Sequence, residues 1–127
     1  MTDNKKKTKV EKFLATLPAT VKIGPYVWNI AVTDKMAQTE NEIESGKQKP
    51  WGQTQLLNLT IKILPTVPST QFAVGVLIHE LYHAGLYSFG MKHPKKEEEG
   101  ALTIEAMFTS IYSNNLWLLR WIEKGLK

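Results

Sequence analysis

The amino-acid sequence predicts an α+β fold, and three observations point to it. Tyr26–Val32 and Leu57–Ile63 alternate apolar and polar residues with a period of two, the mark of strands with one covered face. Residues 70–87 and 97–112 carry apolar side chains at helical spacing over many turns. The strand signals come first and the long helices follow. That order reads as a meander rather than as β-α-β units, and it argues for a small antiparallel or mixed sheet packed on helices.

Residues 1–16 are mostly polar, and lysine at positions 5, 6, 7 and 9 gives them much of the chain's net charge of +4. A basic, disordered tail is expected there, with a short helical patch around Val10–Leu17, followed by one domain over residues 17–127. Gly24-Pro25 is a turn signal between Val21–Ile23 and the strand that carries Tyr26, Trp28, Ile30 and Val32. Residues 33–50 show no clear period and suit a loop or a short surface helix. Trp51-Gly52 restarts order, Leu57, Leu59, Ile61 and Ile63 mark the next strand, and Pro65 and Pro68 end it.

Ser69 is a suitable N-cap for a helix from about Thr70 to Tyr87, with Gly90 as its stop. A second helix begins in Glu97-Glu98-Glu99, acids that favour the positive end of the helix dipole. Asn114-Asn115 break it. Leu116–Leu126 form a last apolar helix containing Trp117 and Trp121.

The bulk properties set limits. With 127 residues, 43% of them hydrophobic, one compact core is expected. Cysteine is absent, which excludes disulfides and thiolate ligands and fits a reducing, cytoplasmic setting. No apolar run reaches membrane-spanning length, and no apolar segment follows the N-terminal lysines as a secretory signal would require. The lysine tail alone supports no more than weak nucleic-acid contacts.

The chemistry concentrates in Leu77-Ile78-His79-Glu80-Leu81-Tyr82-His83-Ala84-Gly85. Residues four apart share a helix face, so His79 and His83 can bind one Zn2+ together. Glu80 sits beside that face, placed to act on a water as general base. A catalytic zinc needs a third protein ligand. Glu105 is the first choice, because Ile104, Ala106, Met107 and Phe108 surround it in sequence and a carboxylate buried among them needs a charged partner. The opposite reading puts it on a polar stripe facing water. Glu98, Glu99 and His93 are the alternatives. A compact His-x-x-Gly-x-x-His extension is excluded, since Phe89 stands where its last histidine would fall. Tyr82, Tyr112 and His93 are candidates for stabilising an oxyanion, and the strand Leu57–Ile63 is expected to offer an edge to an extended peptide.

Ile78-His79-Glu80-Leu81-Tyr82-His83-Ala84 resembles the active helix of the zincin metallopeptidases, and Gly100–Met107 resembles the gluzincin segment whose glutamate is the third ligand. Over most of residues 17–123 the chain is similar to small zincin-type metallopeptidases encoded by phages and prophages. The resemblance implies a minimal zincin-like domain, a zinc site of His79, His83 and a glutamate, and Glu80 as general base. It also implies a peptide or protein substrate and a cytoplasmic location, in the host if the chain is phage-encoded. Thr109 stands where gluzincins often carry an orienting aspartate. The competing expectation is a zinc-binding adaptor without useful turnover, acting through an exposed apolar patch around Trp117 and Trp121.

Overall fold

The structure, a computed structural model, describes residues 7–127. Its elements in chain order are helix α1 (Lys9–Leu14), strands β1 (Thr20–Ile23) and β2 (Tyr26–Val32), helix α2 (Glu40–Glu44), strands β3 (Gly52–Gln55) and β4 (Thr60–Ile63), and helices α3 (Thr70–Ser88), α4 (Glu97–Asn114) and α5 (Leu116–Leu126). The fold is α+β, with a mixed four-stranded sheet in the order β1-β2-β4-β3.

The sheet departs from a meander. β1 and β2 form an antiparallel hairpin, but β2 and β4 run parallel, with Ile30 beside Ile61 and Val32 beside Ile63. The chain leaves β2, crosses to the far edge through the excursion that holds α2, and returns as the β3–β4 hairpin. The strand expected from Leu57 also begins late. Residues 56–59 are a turn, Leu57 is fully exposed, and Leu59 adopts the left-handed region at φ 48°. β4 therefore starts at Thr60, and it lies between β2 and β3. The free edge beside the helices belongs to β3.

One sheet face is apolar. Val21, Ile23, Trp28, Ile61 and Ile63 are almost wholly buried, while Lys22, Val27 and Asn29 on the alternate positions are exposed. β2 is covered only at its centre, and Tyr26 and Val32 at its ends stay open. α3 lies at the heart of the molecule, touching β1, β3 and β4 as well as α1, α4 and α5. Leu77, Leu81 and Ala84 are fully buried on it, as suits a helix flanked on several sides. Ser69 caps its start by accepting from the Phe72 amide at 3.0 Å, and Gly90, at φ 64°, turns the chain out of its end.

Two expectations about the ends need correction. The tail does not extend to residue 16: α1 is a capped helix whose Phe13 and Leu14 are core residues, and residues 1–6 lie outside the described part. Lysine dominates the composition there, but the two apolar residues decide the packing. Trp121 does not belong to an exposed patch. It is buried and stacked on Phe13, with ring centroids 4.4 Å apart and planes 15° from parallel, and Trp117 is half-buried. The Asn114-Asn115 break is more than an interruption. Asn115 is buried and binds Lys22 of β1 twice, accepting from its amide at 3.0 Å and donating to its carbonyl at 2.6 Å, and it donates to the Ile111 carbonyl at 2.9 Å.

Candidate functional site

The helical spacing of four does bring His79 and His83 together. Their Nε2 atoms are 3.2 Å apart, with ring centroids 4.9 Å apart and planes inclined at 69°. Two nitrogens bound to one tetrahedral zinc at about 2.0–2.1 Å would lie about 3.3 Å apart. The pair thus has the separation such an ion requires.

Glu80 points differently. It is buried, and its Oε1 accepts a hydrogen bond from the Thr54 hydroxyl on β3 at 2.8 Å. Its Oε2 stands 3.9 Å from His79 Nε2. One oxygen is therefore fixed by the sheet and the other is left beside the histidines. This arrangement depends on Gly52. A Cβ at that position would fall 2.9 Å from Glu80 Oε2 and 2.6 Å from Val76 Cγ1, so only glycine lets β3 come this close to α3.

The polar cleft in front of these residues has a volume of about 620 Å³. Thr54, Gln53 and Leu56 line its sheet side, and His79, Glu80, His83 and Tyr87 line its helix side. The link after α3 brings in His93, whose ring centroid is 6.0 Å from that of His83 and 6.0 Å from that of Tyr82. The third histidine thus joins the first two from the far side of Gly90.

The acidic candidates fare differently. Glu105 is exposed and does not line the cleft; its neighbours Leu102 and Ile104 are more than half exposed, so apolar sequence neighbours do not bury it. Glu98 and Glu99 are exposed in the first turn of α4, where Glu99 accepts from the Lys95 amide at 3.4 Å. Among the described residues no three His, Asp or Glu side chains form a group that could hold a metal ion.

No protein family, curated protein or solved structure matches this chain.

Of the oxyanion candidates, His93 lies in the polar cleft. Tyr82 and Tyr112 lie on the other side of His79, in a hollow between α3 and α4 that Ile78, Ile104 and Phe108 complete. Burial pushes the Tyr112 hydroxyl above its usual pKa of 10.0. A third recess, lined by Trp51, Phe72 and Val76, opens beside Glu80, with the Trp51 and Phe72 rings edge to face at 5.4 Å. Sequence reasoning missed Gly52 and Thr54. The one available signal was Gly52 opening a strand too polar to show a period of two. Among the described residues no helix is long and apolar enough to cross a membrane.

Proposed function

We propose that the chain is a zinc-dependent hydrolase of the zincin type, most simply a peptidase. One observation carries this reading. His79 and His83 present their Nε2 atoms 3.2 Å apart at the mouth of a cleft, while Glu80, next to His79 in sequence, is turned inward and pinned to Thr54. A buried pair of histidines serving only the core would need neither the open cleft nor the anchored carboxylate.

Zinc held by the two imidazoles would bring the pKa of a water to about 7 and polarise a scissile carbonyl. The chain's own residues do the rest. Thr54 holds Glu80 Oε1 by a hydrogen bond, so the carboxylate keeps one orientation. Oε2 then takes the proton of the attacking water and passes it to the leaving amine. For the third ligand, His93 is favoured by its place in the cleft wall, with Glu105, Glu98 and Glu99 as rivals. The edge expected to hold an extended peptide moves from β4 to β3, whose outer side is unpaired among the described residues.

The test is metal content and peptide cleavage measured together. Wild type binds about one zinc per chain. Glu80→Gln keeps the zinc and loses cleavage; cleavage retained in that variant would remove Glu80 from its role. Among His93→Ala, Glu105→Ala, Glu98→Ala and Glu99→Ala, the variant that loses zinc identifies the third ligand.

A second reading, a zinc-binding adaptor, draws support from α4 and α5, where Leu102, Leu116 and Leu119 are about half exposed or more. It predicts bound zinc and no cleavage of any peptide in a library.

A further inference from the structure

His79 faces two ways. One side lines the polar cleft with His83 and Glu80, and the other closes a hollow of about 430 Å³ between α3 and α4. The walls of that hollow are Ile78, Tyr82, Ile104, Phe108 and Tyr112. It therefore begins at the candidate reacting centre and runs away from the edge strand.

We infer that the hollow between α3 and α4 is a side-chain pocket of the same site and takes an apolar side chain of the substrate, next to the bond being broken. The inference rests on the hydrolase reading for its substrate and on the lining for its chemistry. No Lys, Arg, Asp or Glu lines the hollow. A charged side chain seated there would lose its water and gain no ionic partner, which is costly. Aliphatic and aromatic walls reward an apolar group instead. The polar groups present are His79 and the two tyrosine hydroxyls. They can orient a peptide group at the mouth without offering a counter-ion deeper in. The raised pKa of Tyr112 agrees with a wall shielded from water.

Continuity with the candidate site identifies the occupant. Phe108 and Tyr112 are partly buried and pack against each other, with ring centroids 5.6 Å apart, so that wall is firm. Ile104 forms the rim and is about half exposed. A lysine at position 104 would put a charged chain across the opening without disturbing the core. Leu102, on the same helix and similarly exposed, does not line the hollow and serves as the control.

Two measurements test the inference separately from the reaction. In the first, N-acetyl-leucine amide and N-acetyl-lysine amide are titrated into isotope-labelled protein and amide shifts are followed. The leucine compound is expected to shift Ile78, Ile104, Phe108 and Tyr112, and the lysine compound is not. Ile104→Lys abolishes the response and Leu102→Lys keeps it. Equal response to both compounds, or none at these residues, overturns the pocket. In the second, peptides differing at one position are compared by kcat/KM. An apolar residue is preferred over a charged one by about tenfold or more, and Ile104→Lys erases the preference. Cleavage without any such preference overturns the pocket and leaves the hydrolase reading standing. Leucine-specific shifts without cleavage of any peptide do the reverse.

Discussion

At the scale of single residues, the site turns on how one carboxylate is held. Glu80 has a single side-chain donor among the described residues, the Thr54 hydroxyl, which spans 2.8 Å to Oε1. Thr54→Val keeps the shape and removes that bond. The expected result is a fall of roughly 10- to 100-fold in kcat/KM with zinc content unchanged, the range found when a positioning partner is lost. Loss of zinc together with activity would instead mean that Thr54 supports the fold around the histidines. Tyr112 offers a pH test. Its pKa is raised by burial, so the folded state holds the phenol proton more tightly than the unfolded chain does. That contribution is fully present below the usual value of 10.0 and is lost as pH rises through the folded value. Urea midpoints measured from about pH 9 to about pH 11 should fall for wild type and fall less for Tyr112→Phe.

At the scale of elements, the helices were readable and the sheet was only half so. Ser69 and the Asn114-Asn115 pair mark helix ends by chemistry that acts locally, through side-chain bonds to nearby backbone. β3 gave no such signal. Its residues Gly52-Gln-Thr-Gln55 are all half-buried at the sheet edge, so no alternation arises. Leu57 and Leu59 supplied a false one, because leucine in an exposed turn looks in sequence like leucine in a strand. The histidine pair was legible from spacing alone. The burial expected for Glu105 was not, since it depends on where α4 lies against α3, and that is a tertiary matter. Asn115 also acts at this scale, as a clamp between the α4–α5 joint and β1. Asn115→Ala removes three hydrogen bonds from a buried position and should cost about 1–3 kcal/mol in chemical denaturation. A change below about 0.5 kcal/mol would show that water replaces the clamp.

At the scale of the whole molecule, the two ends of the chain meet. α1 and α5 both pack on α3, and the Phe13–Trp121 stack joins them. Phe13→Ala leaves a void against Trp121, Val74 and Gly125 and should lower stability by roughly 3–5 kcal/mol. The site lies on the opposite side of the chain's contacts, so zinc binding should survive at temperatures where the variant stays folded. A loss of zinc in the folded variant would show that α3 transmits the defect along its length.

The parallel pairing of β2 with β4 has a consequence for the order of assembly. β2 and β4 are far apart in sequence, and β3 reaches the sheet only through its hairpin with β4. Closing the long excursion between them costs chain entropy before any reward arrives. β3 is therefore the last strand that the sheet can accept and the first that it can release. Thr54 and Gly52 ride on that strand. The grip on Glu80 is thus renewed each time the outermost strand docks, and the site is completed by the least secure piece of the sheet.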